Sequence, residues 1–288
     1  MPATTMQAQT VWHVWRRIMR EVPLQQALFH PPGGKLTEQA LSGLGLKGEE
    51  AAAARAYAGQ ADRAQWFVLN YRFRLANSFT NALETGAPLV LRALLNKNAD
   101  VNALGCEFLD RQGWKDFGPY VYTYCAAALD FLAAHPVSEA PKGLHDLIGL
   151  EGTVVALMRD MASQPPQTAA SEQQGPLRRS PRARSYTSAH RLTAALRDKK
   201  SLGRVDLVAL PADQHEHFIV YLPDPQASHK YALVPPRAAQ ILAALEQPCP
   251  TAELPQRLQA LGFAGRTDDD TLCLTQLRAQ HAIIGAEA

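Results

Sequence analysis

Residues 216–234 read EHFIVYLPDPQASHKYALV, and this stretch decides the fold. Phe218, Val220 and Leu222 alternate with less apolar neighbours, as do Tyr231 and Leu233, the period of two expected of half-buried strands. Between the two runs lies Asp224-Pro225-Gln226-Ala227-Ser228, which is turn chemistry. Just upstream, Val205, Leu207 and Ala209 alternate and predict a preceding strand. Downstream, Pro235-Pro236 closes the extended chain, and helical patterns follow over Arg237 to Leu245, Thr251 to Leu261 and Asp268 to Ile284. Three antiparallel strands and three helices predict a winged-helix-like α+β domain over 204–288.

Moving toward the N-terminus, residues 164–203 are rich in Gln, Pro and Ser, then in Arg178, Arg179, Arg182 and Arg184. Such a run buries too little apolar surface to offset ordering and predicts a flexible linker. Its arginines suit a solvated tether or contact with nucleic acid or an acidic partner. Residues 1–163 read as helices throughout and predict a helical bundle. Val11, Trp15, Ile18 and Val22 form the stripe of an opening helix that Pro31-Pro32 breaks. Thr37 is placed to cap a short helix, Pro88 to open one, and a long helix is predicted over 62–85. The whole chain is therefore expected to be mainly α with a small α+β domain.

Charge and cysteine use narrow the function classes. The net charge is +2, with 29 basic and 27 acidic side chains, so no strong attraction to nucleic acid or acidic lipid is expected. The region 204–288 carries 6 basic and 10 acidic residues. Asp268-Asp269-Asp270 suits a helix N-terminus but repels phosphates, which argues against reading DNA through this domain. Cys106, Cys125, Cys249 and Cys273 lie far apart without a CxxC pair and are expected reduced and mostly buried. The opening residues lack the pattern of a secretory signal, and no apolar run is long enough to span a membrane. A cytoplasmic location is the expectation.

The long helix carries the first candidate surface. Asn70, Arg74, Asn77, Asn81 and Glu84 fall within an arc of about 80° at helical spacing, opposite Val68, Leu75, Phe79 and Leu83. An amide-rich stripe suits a solvated face or hydrogen bonding to a partner protein. Arg72 falls among the apolar residues and must meet a buried acceptor or reach a partner. Asp116 and Tyr120, with Tyr122 and Tyr124, are further candidates for an interface or for plain packing. In the hairpin domain, Lys230, Tyr231, Ala232, Leu233 and Val234 are read as a sheet edge. An extended peptide would add there as another strand, with Leu277 and His281 of the last helix lining side pockets. His215, His217 and His229 fail as a metal set, because the turn leaves His217 roughly 17 Å along the strand from His229. No GxSxG, HExxH, Walker or GxGxxG motif is present.

The residues Tyr71-Arg72, Asn77-Ser78-Phe79, Ala82-Leu83-Glu84, Pro88-Leu89-Val90 and Leu94-Leu95 resemble a helical domain of peptide-modification partner subunits. The tail, from Phe218 through Tyr231 and Pro236-Arg237-Ala238-Ala239 to Leu245, resembles domains that recognise precursor leader peptides. Together the two similarities span roughly two thirds of the chain. The family pairs with multinuclear iron-dependent oxidative enzymes on a barrel fold, in the biosynthesis of ribosomally made, later modified peptides. The likeness is greatest to the methanobactin subfamily, whose product is a copper-chelating peptide, and then to the thiaglutamate subfamily. The resemblance implies a non-catalytic accessory subunit that binds a precursor peptide and an iron-dependent barrel oxidase. It implies no cofactor in this chain, the iron residing in the partner enzyme, and no nucleic-acid or membrane partner. A winged-helix transcription regulator with a helical effector domain is the alternative, and a stand-alone enzyme using a helical-domain pocket is the third reading.

Overall fold

The computed structural model of the chain describes residues 7–113, 117–163, 175–224 and 228–285. It is mainly helical, with a small three-stranded antiparallel sheet. Up to residue 163 the helices are α1 (Ala8–Arg20), α2 (Val22–Phe29), α3 (Glu38–Gly43), α4 (Gly48–Ala58), α5 (Ala61–Gly86), α6 (Pro88–Asn96), α7 (Val101–Arg111), α8 (Val121–Ala133) and α9 (Leu144–Ser163). The chain packs as two units. The first takes in the described residues up to Thr80 and residues 102–113, the second residues 81–101 and those from Phe117 onward. The boundaries expected at 163 and 203 both fall inside the second unit.

In the first unit, Val14, Ile18, Leu24, Leu28, Leu41, Leu46 and Val68 form the core with three alanines of α4. The Thr37 hydroxyl accepts from the Ala40 N–H and caps α3, as its position predicts. The opening helix does not run through Val22. It stops at Glu21, whose backbone is extended (φ −101°, ψ 98°), because Pro23 follows. Proline lacks the N–H that would have bonded the Met19 carbonyl four residues back. Val22, expected in the apolar stripe, is accordingly exposed.

In the second unit the sheet is built from β2 (Ala183–Ser188), β3 (Glu216–Tyr221) and β4 (Lys230–Val234) in the order β2-β3-β4, after a short β1 (Arg178–Arg179) that pairs with β5 (Ile283–Ile284). The pairs Tyr186↔Phe218 and Phe218↔Leu233 fix the register. Phe218, Val220 and Leu222 pack on Leu150, Val154 and Leu157 of α9. The alternate residues, Ala183, Ile219 and Val234, pack on the opposite side against Ala238, Ile241 and Leu242 of α11 (Pro236–Ala244). Completing the unit are α10 (Leu192–Arg197), α12 (Leu254–Ala260) and α13 (Asp270–Ala279). Among the described residues no helix is long and apolar enough to cross a membrane.

Three sequence expectations fail here. Residues 175–203 are not a linker, since they hold β1, β2 and α10; residues 164–174 lie outside the described set. The first sheet strand is 183–188 rather than 205–209, of which only Ala209 forms an isolated bridge, to His190. The strand was hidden because Ala-Arg-Ser-Tyr-Thr-Ser alternates small and polar groups instead of large apolar ones. Its neighbouring arginines are held by partners: Arg184 pairs with Asp160 at 2.7 Å and Arg179 Nε donates to the Leu242 carbonyl at 2.5 Å. The last predicted helix also ends early, at Ala279, where His281 turns left-handed (φ 51°) into β5.

Gly149 sets how closely α9 approaches the sheet. A Cβ there would lie 2.5 Å from the Tyr186 hydroxyl and 2.7–2.9 Å from its ring. That hydroxyl is tied to Asp146 Oδ1 at 2.9 Å, so it does not swing away freely. Gly149→Ala is therefore expected to cost about 1–3 kcal/mol through overpacking, measured as a lower urea midpoint. An unchanged midpoint would show that the ring yields.

Candidate functional site

Strand β4 is paired with β3 along one edge only. Among the described residues no strand pairs with its other edge. The pleat divides its side chains between the two faces. Tyr231 and Leu233 share the α9 side with Val220 and Phe218, whereas Lys230, Ala232 and Val234 face the α11 side. Val234 is buried; Lys230 and Leu233 are exposed.

Beside Tyr231 and Leu233 lies a cavity of about 480 Å³. Pro88, Leu89, Leu196 and Phe218 contribute its apolar wall, and Arg197 and Lys199 its cations. Two carboxylates set the helices that frame it. Glu216 of β3 accepts from the Leu192 and Thr193 N–H groups at 2.7 and 2.9 Å, and from the Thr193 hydroxyl, so it caps α10. Glu151 of α9 accepts from the N–H groups of Leu89 and Val90 at 3.0 and 2.7 Å, so it caps α6. Both suit the positive end of a helix, where orphan N–H donors lie. Burial pushes the Glu151 carboxyl up to about 8, against the two N–H donors and Lys199, which favour the anion.

His229 Nε2 lies 3.2 Å from the Tyr231 hydroxyl, with the rings edge-on at 5.1 Å. Burial lowers the His229 pKa below the ordinary histidine value and raises that of Tyr231, so both groups are neutral near pH 7. No carboxylate lines the cavity, and neither Arg197 nor Lys199 makes an ion pair among the described residues.

The two residues expected from the last helix do not join this site. Leu277 is fully buried in the core with Ala238 and Ile241. His281 is half-buried in the left-handed turn after α13, its N–H donated to the Arg278 carbonyl at 2.9 Å. They fail because α13 turns its apolar stripe to the α11 side of the sheet, whereas the cavity opens on the α9 side. The cavity residues Arg197, Lys199 and Leu196 were missed because they lay in the supposed linker. The signal was present as Leu192, Ala195 and Leu196, an apolar set at helical spacing.

Of the predicted partner-facing residues, Arg74, Asn81 and Glu84 are exposed on α5 and Asn77 is half-buried. Val68, Phe79 and Leu83 are buried, as their phase predicts. Arg72 resolves differently. Its Nη1 donates to the Met19 carbonyl at 2.7 Å, the acceptor that Pro23 leaves without a helical donor, and Nη2 lies 3.5 Å from Asp110. Tyr120 donates its hydroxyl to the Met158 carbonyl at 2.8 Å and so ties α8 to α9. Asp116 lies outside the described residues. Alongside Arg74, the sequence reading missed Trp66, Leu69 and Phe73, each more than half exposed. Their spacing of three and four forms a second apolar stripe that no core uses.

His217 Nδ1 meets the Thr187 hydroxyl at 2.9 Å rather than another histidine. Among the described residues no three His, Cys, Asp or Glu side chains gather as a metal-ligand set. Among the described residues no cysteine forms a disulfide, and Cys125, Cys249 and Cys273 are buried. Compared with known proteins, the chain matches no family model and no curated sequence.

Proposed function

We propose that the chain is an accessory subunit that binds the leader of a ribosomally made precursor peptide and presents a cysteine of that peptide to an iron-dependent barrel oxidase. The observation that carries this reading is the edge of β4 with which no strand pairs among the described residues. An extended leader adds there as a fourth strand, with main-chain hydrogen bonds giving affinity and alternate side chains giving specificity. The hairpin followed by α11, α12 and α13 supports the winged-helix-like reading, with β2 supplying the first strand. The exposed Trp66, Leu69 and Phe73 beside Arg74 support a protein partner on α5, since aromatic and Arg side chains are enriched at interfaces. Iron belongs to the oxidase in this scheme.

The test is co-expression with an iron-dependent barrel oxidase and a short Cys-containing precursor peptide, sought among the genes adjacent to this one. A stable complex is expected, with iron following the oxidase. On peptide addition, amide hydrogen exchange should slow across residues 230–234. Peptide binding that leaves exchange there unchanged would sink the assignment, as would tight sequence-selective retardation of DNA by the chain alone.

A further inference from the structure

We infer that the cavity beside β4 is a specificity pocket for an acidic peptide segment, which takes an apolar and a carboxylate side chain two positions apart. This rests on strand addition at β4. A peptide lying along that edge turns alternate side chains to the same face, about 7 Å apart. Those turned to the α9 side pass Tyr231 and Leu233 and enter the cavity.

The lining fixes the chemistry of what enters. Leu89, Leu196 and Leu233 offer apolar wall, and Leu233 is 49% exposed, so a side chain resting on it removes apolar surface from water. Arg197 and Lys199 stand at the same cavity without a carboxylate partner among the described residues. The negative group nearest in character, Glu151, is already held by two N–H donors and is driven toward its neutral form by burial. His229 does not add a fixed charge near pH 7, since burial lowers its pKa. Glu151, whose anion Lys199 favours, and Glu216, which caps α10, are held by N–H donors and do not line the cavity; the charged side chains that do line it are Arg197 and Lys199, and a glutamate or aspartate is their complement. Both cations come from the segment before residue 204, whereas residues 204–288 carry 6 basic and 10 acidic side chains.

The experiment pans a random dodecapeptide phage library on the full chain and on R197E/K199E. Both side chains are exposed and bond to no described group, so the variant should fold; an unchanged melting temperature checks this. Wild type is expected to select peptides with an apolar residue and Asp or Glu two positions apart. The variant is expected to select Lys or Arg in the acidic place, and to bind the wild-type peptides about tenfold to a hundredfold more weakly, as for loss of a charge-assisted contact. R197Q/K199Q should bind them with intermediate affinity. Selection without acidic preference, or the same acidic peptides from both proteins, overturns the pocket. Amide exchange over 230–234 with the selected peptides separates the two ideas. Slowing without charge preference leaves strand addition standing and removes the pocket. Binding without slowing, or no binder at all, removes both.

Discussion

Arg237→Ala is expected to destabilise the second unit by about 3–5 kcal/mol, the cost of breaking a buried ion pair from one side. Arg237 is only 8% exposed. Its Nε and Nη2 meet the two carboxylate oxygens of Asp270 at 2.6 and 3.0 Å, and Nη1 donates to the Ala264 carbonyl at 2.6 Å. One planar group thus ties α11 to the loop before α13 and to the first turn of α13. Asp270 further accepts from the Thr267 N–H and hydroxyl. Burial disfavours its charge, but these hydrogen bonds outweigh burial and hold its carboxyl below the usual carboxylate range. Its share of the stability is therefore present above the ordinary aspartate value near 3.8 and is lost as pH falls through the depressed one. Urea denaturation at pH 7 measures the loss. Arg237→Lys should recover only part of it, because an ammonium cannot hold both carboxylate oxygens and the carbonyl in one plane. The double change Arg237→Met with Asp270→Asn should cost less than the two single changes summed. Additivity would mean that the pair is not coupled.

The second large effect is expected at Glu151. Glu151→Ala leaves the Leu89 and Val90 N–H groups buried without an acceptor. At about 1–3 kcal/mol for each orphaned donor the loss is about 2–6 kcal/mol. The pH dependence has a definite sign. The folded carboxyl, pushed up to about 8, keeps a proton that the unfolded chain releases near 4.5. Stability from this group is thus full below about pH 4.5 and declines as pH rises to about 8. Glu151→Gln keeps one acceptor and cannot ionise. The advantage of wild type over Glu151→Gln should shrink between pH 5 and pH 8.5 in paired urea melts. A gap that widens over this range would show that the carboxylate is the favoured form.

How far the chain could be read from its residues depended on the periodicity of each segment. Large apolar groups at regular spacing made the β3 and β4 runs and the α5 phase plain, and capping chemistry marked Thr37 and Pro88. Where a strand is lined by Ala, Ser and Thr, as in β2, alternation carries no hydropathic contrast, and a string of arginines imitates a solvated tether. The candidate site was half legible for the same reason. Its edge strand stood out, while the cavity wall comes from α6 and α10, distant in sequence and brought together by Glu151 and Glu216. Arg72 was legible as a problem rather than as an answer. Its acceptor is the carbonyl left over by Pro23, a pairing across 53 residues that no local pattern announces.

The interleaved order of the two units bears on how the protein emerges from the ribosome. Residues 81–101 belong with chain made much later, whereas 102–113 return to the part made first. The nascent N-terminal unit must therefore wait for α7 before it is complete, and α6 is synthesised 55 residues ahead of Glu151, the carboxylate that caps it. No single proteolytic cut frees either unit whole, and a ribosome that stalls after residue 221 but before β4 leaves β2 and β3 without the third strand of their sheet.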